Sequence, residues 1–142
     1  FLVSRVGQLA AANWPAEGLW VSDYGFCQDR VYARARLSAD DFTAYDAVAR
    51  RLEPLVHRPD VLVVLEASME TLQARIAERG REYERVMDRA FLSYMAEAYR
   101  DLLAAIDGPV LRVDCDRYDL RQDDHRSALL DDLRAALKEP AR

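Results

Sequence analysis

The segment "VLVVL", Val61 to Leu65, constrains the fold of this chain more than any other. Its residues are all apolar and mostly β-branched, which predicts a strand buried on both faces and central in its sheet. "VLRV", Val110 to Val113, and the apolar run Leu19 to Ser22 read as further strands. Strands of this kind that alternate with helical patterns indicate an α/β fold with a parallel sheet flanked by helices.

Apolar residues recur at helical spacing between these strands. Ser38 with Asp41 resembles a capping box, and Ser68 is placed to cap a helix that Gly80 ends. The predicted helices are Phe1–Ala12, Ala39–Val56, Met69–Arg79, Arg89–Ile106 and one that starts at Asp123 or Asp124. At 142 residues, the chain is predicted to form a single domain, residues 1–142.

Composition excludes several classes of protein. A net charge of −5 disfavours a nonspecific nucleic-acid binder, whose surface would be basic. Cys27 and Cys115 are isolated thiols without metal-ligand spacing, which predicts a reducing, cytoplasmic location. The apolar runs are too short to span a membrane, so no membrane partner is expected. The chain opens on Phe1, and we expect its natural N-terminus to lie further upstream.

Polar residues follow each predicted strand, where ligands of parallel sheets bind. Asp23 comes directly after the apolar run Leu19 to Ser22, and Asp114 to Asp116 follow "VLRV". A carboxylate such as Asp23 could hold a magnesium ion or a proton, or it could cap a turn. Asp29 with Arg30 reads equally well as an ordinary surface pair. The residues alone leave these alternatives open.

The stretch "RIAERGREYER" concentrates arginines around one glycine. Arg75 and Arg79 are four residues apart and share a helix face, and Arg81 follows Gly80. Planar guanidinium groups in such a cluster could clamp phosphates, because each offers paired donors. They could also form a solvated helix end that favours the helix dipole. Arg5 reads from the sequence alone as a surface residue.

Taken together, "SDYGFCQDRVYARARLSADDFTAYD", "PDVLVVLEASMETLQARIAERGREYE" and "LDDLRAAL" resemble the deoxynucleoside kinases. The match is closer to the bacterial deoxyadenosine and deoxyguanosine kinases, and it extends over nearly the whole chain. The resemblance implies a P-loop nucleoside-kinase-like, three-layer fold. It also implies phosphoryl transfer from ATP, with Mg²⁺, to the 5′-hydroxyl of a deoxynucleoside, which we expect to be a purine. A homodimer is expected by the same resemblance.

The resemblance assigns roles residue by residue. Asp23 matches an acidic residue near the metal and the 5′-hydroxyl, although this chain has Asp-Tyr-Gly where many members have Glu-Arg-Ser. Asp29 matches the aspartate that binds the base edge, and Arg5 matches the arginine that pairs with it. Tyr24, which packs the corner between the two aspartates, is counted with the substrate-binding residues. The lid, at about residues 75–88, would supply Arg75, Arg79 and Arg81 for the phosphates and donor adenine, and Glu84 for the sugar 3′-hydroxyl. Asp116 would lie beside the donor base.

One family motif does not occur in the sequence. The phosphate-binding loop has the pattern Gly-x-x-x-x-Gly-Lys-Ser/Thr, but Lys138 is the one lysine of the chain and follows no glycine-rich loop. The first two strands of the family sheet would then be absent. Either these residues are the later two-thirds of a kinase, which we favour, or the two flanking strands pair directly. The 142 residues alone are expected to be inactive.

Two other functions remain open. A thymidylate kinase-like enzyme would share an arginine lid and an Asp-Arg motif but would phosphorylate a monophosphate. A noncatalytic α/β interaction domain would have no affinity for nucleosides. The run "SDYGFCQDR" followed by "YARARLS" favours a nucleoside enzyme over the first alternative.

Overall fold

The computed structural model of the chain describes residues 2–15, 17–84 and 87–138. Its helices and strands are α1 (Leu2–Leu9), α2 (Phe26–Arg36), α3 (Ala39–Leu52), β1 (Leu62–Glu66), α4 (Met69–Arg79), α5 (Arg89–Ala104), β2 (Val110–Asp114) and α6 (Asp123–Ala136). Short 3-10 turns lie at Ala11–Asn13, Glu53–Leu55 and Glu82–Glu84. The chain is therefore α/β, as the alternation of apolar segments predicts.

The chain divides into two compact units. One consists of Phe1–Pro59 with Met95–Ala105, and the other consists of Asp60–Tyr94 with Ile106–Arg142. Helix α5 thus contributes its first turns to the second unit and the remainder to the first. The folding of residues 1–142 as a single domain stays a prediction.

The first unit is helical. Its core takes one buried side chain from each of four helices, namely Leu9, Val31, Ala49 and Met95, together with Val56. An isolated antiparallel bridge joins Ala10 to Val56 and ties the end of α1 to the segment after α3. Ser38 caps α3 as predicted, because its Oγ accepts the backbone N–H of Asp41 at 3.2 Å.

Helix α2 is an element that the sequence reading did not predict. Its charges suit the helix dipole, with Asp29 in the first turn and Arg34 and Arg36 in the last. That polarity was the signal available in the sequence. It was obscured because the helix has a weak apolar pattern and follows Gly25, an N-cap residue that provides no side-chain cap. Asp29 therefore lies on a helix rather than at a strand end.

The predicted strand Leu19 to Ser22 is wrong. These residues form no strand, and Leu19, Trp20 and Val21 are exposed by 67%, 54% and 81%. An extended segment becomes a strand only when a neighbour pairs with its backbone groups, and no described residue does so here. Asp23 consequently lies in an exposed bend and does not follow a buried strand.

The second unit contains the sheet. β1 and β2 run parallel, in a register that pairs Leu62 with Val110 and Glu66 with Asp114. Helices flank the pair, and α6 packs on β2. The expectation that β1 is buried on both faces is wrong, since Val63 and Leu65 are 37% and 59% exposed. Side chains alternate across a pleated strand, so one face of β1 points away from the core.

Helix α4 has the bounds that its sequence predicts. Ser68 accepts the N–H of Thr71 at 3.2 Å, and Gly80 ends the helix in the left-handed conformation at φ 61°. The capping residues therefore fix where this arginine-bearing helix begins and ends. Arg85 and Val86, which belong to the predicted lid, lie outside the described residues. Among the described helices, none combines the length and apolarity that a membrane crossing requires.

Candidate active site

The structure brings together two residues that are distant in the sequence, Arg5 of α1 and Asp29 of α2. The Nε of Arg5 lies 3.5 Å from Oδ1 of Asp29. Both side chains are largely covered, with 24% of Arg5 and 11% of Asp29 exposed. The expected pairing of this arginine with this aspartate is thus present in the geometry. A partly desolvated pair of this kind offers N–H donors beside carboxylate acceptors.

Tyr24 lies directly against this pair. The Cζ of Arg5 is 3.5 Å from the centroid of the Tyr24 ring, which is a cation–π contact. The Tyr24 hydroxyl donates a hydrogen bond to Oε1 of Gln8 on α1. Ser22 Oγ donates to the Tyr24 backbone carbonyl at 2.7 Å and fixes the preceding bend. The sequence reading did not single out Gln8, although its i+3 spacing from Arg5 puts both on one helix face.

Helix α3 supports the helix that carries Asp29. Asp46 forms ion pairs at 2.8 Å with both Arg30 of α2 and Arg50 of its own helix. Next to Asp46, burial raises the pKa of Tyr45 to about 12, and the negative charge of Asp29 contributes to the rise. Arg30 is therefore engaged in joining α2 to α3, and its ion-pair partner is Asp46 rather than the neighbouring Asp29 of the surface-pair reading.

Cys27, two residues before Asp29 in the first turn of the same helix, is not a candidate nucleophile. Its half-buried position raises the pKa of the thiol, chiefly through desolvation. A thiol with a raised pKa is mostly protonated near neutral pH, and the thiolate is the reactive form. The side chains of this region that could interact with a charged or polar ligand are therefore its carboxylates and guanidinium groups.

Asp23 is an exposed residue in the bend before α2. Among the described residues, no three His, Cys, Asp or Glu side chains come together as a ready metal cage. Mg²⁺ is usually held by one or two carboxylates together with substrate phosphates and water. A single accessible carboxylate fits that mode of binding, so Asp23 remains a suitable metal ligand by its chemistry.

Two arginines of the predicted lid, Arg79 and Arg81, converge on one carboxylate, Glu84. Arg79 Nη2 lies 3.4 Å from Oε2 of Glu84, and Arg81 Nη1 lies 3.6 Å from Oε1. Glu84 is buried, whereas about half of each arginine side chain is exposed. Oε2 accepts no hydrogen bond from any described residue. The arginines are thus anchored on one side and open to solvent on the other.

A cavity of about 390 Å³ adjoins this cluster within the second unit. Gly80, Arg81 and Glu84 form its polar wall, and Ile76, Met87 and Leu92 form its apolar wall. Arg81 also donates a hydrogen bond of 2.9 Å to the Tyr83 hydroxyl. Residues of the predicted lid therefore border an open cavity whose lining includes a carboxylate acceptor and a cation, groups that suit a ligand carrying a hydroxyl and an anionic group.

Arg75 and Asp116 lie apart from the contacts around Glu84 and connect α4 to the loop after β2. Arg75 Nη2 donates to the backbone carbonyl of Cys115, at the end of β2, at 3.0 Å. Asp116 accepts the backbone N–H of Ser68 at 2.8 Å and the Ser68 hydroxyl at 3.1 Å. Both contacts fasten α4 to the loop after β2. Asp116 therefore caps the arginine-bearing helix in this structure, a role that the sequence reading missed.

Hydrogen bonding at this loop lowers the pKa of two aspartates. The Thr71 hydroxyl and the Ser68 N–H lower the pKa of Asp116. Arg121 holds the pKa of Asp119 down to about 2, through hydrogen bonds from its side chain and its backbone. His125 Nδ1 accepts the Asp119 N–H at 2.9 Å. The loop between β2 and α6 is thus held by charged groups that stay ionised at neutral pH.

The chain is similar in sequence to one family of known proteins. The family model described as deoxynucleoside kinase matches residues 2–137. A deoxyadenosine/deoxycytidine kinase of Bacillus subtilis (strain 168) is 32% identical over 116 residues, which cover 71% of this chain and 54% of the relative. A deoxyadenosine kinase of Dictyostelium discoideum is 29% identical over 119 residues, which cover 79% of this chain and 48% of the relative.

A deoxyguanosine kinase of Bacillus subtilis (strain 168) is similar over a shorter stretch. It is 25% identical over 79 residues, or 56% of this chain and 38% of the relative. The α/β fold and the family match together define a nucleoside kinase-like protein. The chain belongs to the deoxynucleoside kinase family. It spans about half the length of the first two relatives.

Proposed function

We propose that this chain supplies the nucleoside-binding part and the arginine lid of a kinase that transfers the γ-phosphoryl group of ATP to the 5′-hydroxyl of a deoxynucleoside. The observation that carries the proposal is the covered Arg5–Asp29 pair, which offers donor and acceptor groups side by side. The relatives, named for deoxyadenosine, deoxycytidine and deoxyguanosine, all act on bases with an exocyclic amine.

The nucleoside would be read by its base edge. The Asp29 carboxylate accepts from an amino group, and the Arg5 guanidinium donates to a ring nitrogen or carbonyl. Adenine presents an amino donor beside a ring-nitrogen acceptor, and it satisfies both groups at once. Cytosine also presents an amino donor beside a ring nitrogen, so the choice of a purine, with deoxyadenosine foremost, rests on the two relatives that are named for deoxyadenosine.

Phosphoryl transfer depends mostly on positioning and on neutralising the charge of the phosphates. The exposed sides of Arg79 and Arg81 would supply positive charge to the phosphates, and Glu84 would accept a hydrogen bond from the sugar 3′-hydroxyl. Asp23 would hold Mg²⁺, which neutralises phosphate charge when bound. Arg75 and Asp116 would act on the donor side through the α4–loop contacts. The phosphate-binding loop is proposed to lie in sequence that precedes Phe1.

The related parts of the proposal follow the family. We also propose that the enzyme is a homodimer in the cytoplasm and has no nucleic-acid or membrane partner. The alternative of a thymidylate kinase-like enzyme would need a site for the phosphate of a monophosphate substrate. Nothing in the covered Arg5–Asp29 pair favours that substrate over a nucleoside, because both of its groups suit a base edge.

A titration of the chain with deoxyadenosine and, separately, with dTMP tests the proposal. We expect saturable binding of deoxyadenosine, weaker binding of dTMP, and loss of deoxyadenosine binding in Asp29→Ala. Preference for dTMP would favour the monophosphate kinase. No binding of either ligand, and no effect of Asp29→Ala, would favour a noncatalytic interaction domain.

A further inference from the structure

The contacts around Arg5 extend beyond its pair with Asp29. We propose that Tyr24 and Gln8 are positioning residues that hold the Arg5 guanidinium in one orientation against Asp29 and thereby set the base selectivity of the site. This inference rests on the proposed function as far as base selectivity is concerned. The positioning itself depends only on contacts within the first unit.

The distance between Arg5 and Tyr24 restricts how the guanidinium can lie. A carbon atom 3.5 Å from a ring centroid is at van der Waals contact with the ring face. Arg5 can bring Cζ that close only if its planar group lies roughly flat on the ring. All five N–H donors then lie in a plane parallel to the ring, and they point sideways toward groups at its edge.

Tyr24 is itself held by hydrogen bonds at its hydroxyl and at its backbone carbonyl. Its hydroxyl donates to Gln8 Oε1, and its backbone carbonyl accepts from Ser22 Oγ. Gln8 lies three residues after Arg5 on α1, so the same helix face carries the guanidinium and the anchor of the ring beneath it. The backbone carbonyl of Gln8 also accepts the indole N–H of Trp14 at 3.3 Å, which holds this end of α1 against the following segment.

Asp29 completes the arrangement from α2. Its carboxylate meets the Nε side of Arg5 at 3.5 Å and is 11% exposed. The ring therefore sets the plane of the donors, and Asp29 sets the rotation within that plane. A ligand edge that contacts a donor and an acceptor at a fixed separation depends on both the plane and the rotation of the guanidinium group. A ligand that makes one contact does not depend on both.

The number of contacts that a nucleoside makes decides how strongly its binding depends on the orientation of Arg5. Deoxyadenosine uses both contacts, because adenine carries an amino donor beside a ring-nitrogen acceptor. Purine 2′-deoxyriboside keeps the ring nitrogens and lacks the amino group. Loosening Arg5 should weaken the binding of deoxyadenosine more than the binding of purine 2′-deoxyriboside, because a single contact to a ring nitrogen can be made by a guanidinium group in several orientations. Tyr24 then acts by orienting Arg5, a role distinct from direct substrate contact.

Three variants of the full chain test the proposal. Tyr24→Leu removes the ring, Tyr24→Phe keeps the ring and removes the hydroxyl, and Gln8→Leu removes the acceptor. Tyr94→Leu is the matched control, since Tyr94 is 42% exposed on α5. The two readouts are the Nε–H resonance of Arg5 by NMR, which a ring face shifts upfield, and the ratio of dissociation constants for the two purine nucleosides.

We expect Tyr24→Leu to abolish the upfield shift and to reduce the nucleoside ratio about fivefold, the size of a partly desolvated cation–π contact. Tyr24→Phe and Gln8→Leu should keep the shift and reduce the ratio about twofold, the size of one exposed hydrogen bond. Thermal unfolding of each variant shows whether it folds, and Tyr24→Phe carries the test if Tyr24→Leu does not.

Two results overturn the proposal. An unchanged Arg5 resonance in folded Tyr24→Leu contradicts the positioning. An unchanged nucleoside ratio in all three variants contradicts the effect on selectivity. A wild-type chain that shows the shifted resonance but binds no deoxyadenosine contradicts the proposed function and the effect on selectivity, while it supports the positioning. The two readouts therefore separate failure of the inference from failure of the function.

Discussion

The two units of the chain each contain an arginine–carboxylate site, and the two sites are built in opposite ways. In the first unit, Arg5 is 24% exposed and is held by both a ring face and Asp29. In the second, Arg79 and Arg81 are about half exposed and share the buried Glu84. A restrained guanidinium suits the reading of a rigid base edge, and a solvent-facing one suits flexible phosphates, which accept bidentate donors from many directions.

The comparison also bears on the energy of each site. An ion pair between partly covered groups keeps much of its Coulomb attraction, whereas exposed pairs contribute between 0 and about 1 kcal/mol. Removing one partner of the Arg5–Asp29 pair should therefore cost more free energy than removing Arg79 or Arg81, because both of these arginines are half exposed and the buried Glu84 keeps the other one as its partner.

The 142-residue chain by itself is predicted to consume no ATP in response to a deoxynucleoside. Its sequence contains the proposed nucleoside-site and lid residues and no Gly-x-x-x-x-Gly-Lys-Ser/Thr motif. A coupled assay for ADP, with and without deoxyadenosine, measures this directly. Nucleoside-dependent turnover by this polypeptide would show that the lid arginines suffice to hold the donor, and it would remove the proposed division of labour.

Asp29→Asn should weaken deoxyadenosine binding by about 30-fold or more, since losing one partner of a largely covered charge pair costs about 2–5 kcal/mol. Isothermal titration gives the change in dissociation constant. Asp132→Asn on α6 is the matched control, because Asp132 is exposed. Equal affinity of Asp29→Asn and the wild type would mean that Asp29 supports the helix and not the ligand.

Glu84→Gln should lower the free energy of unfolding by ~1 kcal/mol, a value reduced by the solvent exposure of its arginine partners. Glu82→Gln is the control within the same 3-10 turn, where Glu82 is exposed. That control should change stability by less than about 0.5 kcal/mol. Urea unfolding measures both. Similar values for the two variants would contradict the anchoring of the lid arginines by Glu84.

A pH dependence of stability should come from Asp116 and Asp119. Their pKa values are lower in the folded chain than the ordinary value of 3.8, and that of Asp119 is lowered to about 2. The folded state therefore binds fewer protons than the unfolded state, so this stabilisation is complete above about pH 4 and is lost as the pH falls from about 4 towards 2.

Asp119→Asn should reduce the loss of stability in acid. Asp116→Asn should reduce that loss less, because the pKa of Asp116 is lowered by a smaller amount than the pKa of Asp119. Thermal melts between pH 2 and 5 compare these variants with Asp132→Asn. An acid limb of unchanged slope in both variants would mean that other carboxylates dominate acid unfolding. The effect is the smallest of the four, since both aspartates are at the surface.

Much of the second unit could be predicted from local sequence. Ser68 and Gly80 mark both ends of α4 because capping requires particular side chains at particular positions. The apolar runs Val61 to Leu65 and Val110 to Val113 correspond to β1 and β2, within one residue at each boundary. A resemblance to a family, carried by "RIAERGREYE" and "SDYGFCQDR", was needed to single out Arg5 and Asp29 as partners.

The sequence by itself determined the helix caps, the two strands, the family and the residues that could bind phosphate or a base. Only the tertiary structure decided that Leu19 to Ser22 forms no strand, that Glu84 is buried and that Asp116 caps α4. The reason is physical. Caps and periodicity depend on neighbours along the chain, whereas strand pairing, burial and long-range hydrogen bonds depend on which distant residues come close, such as Ser68 and Asp116.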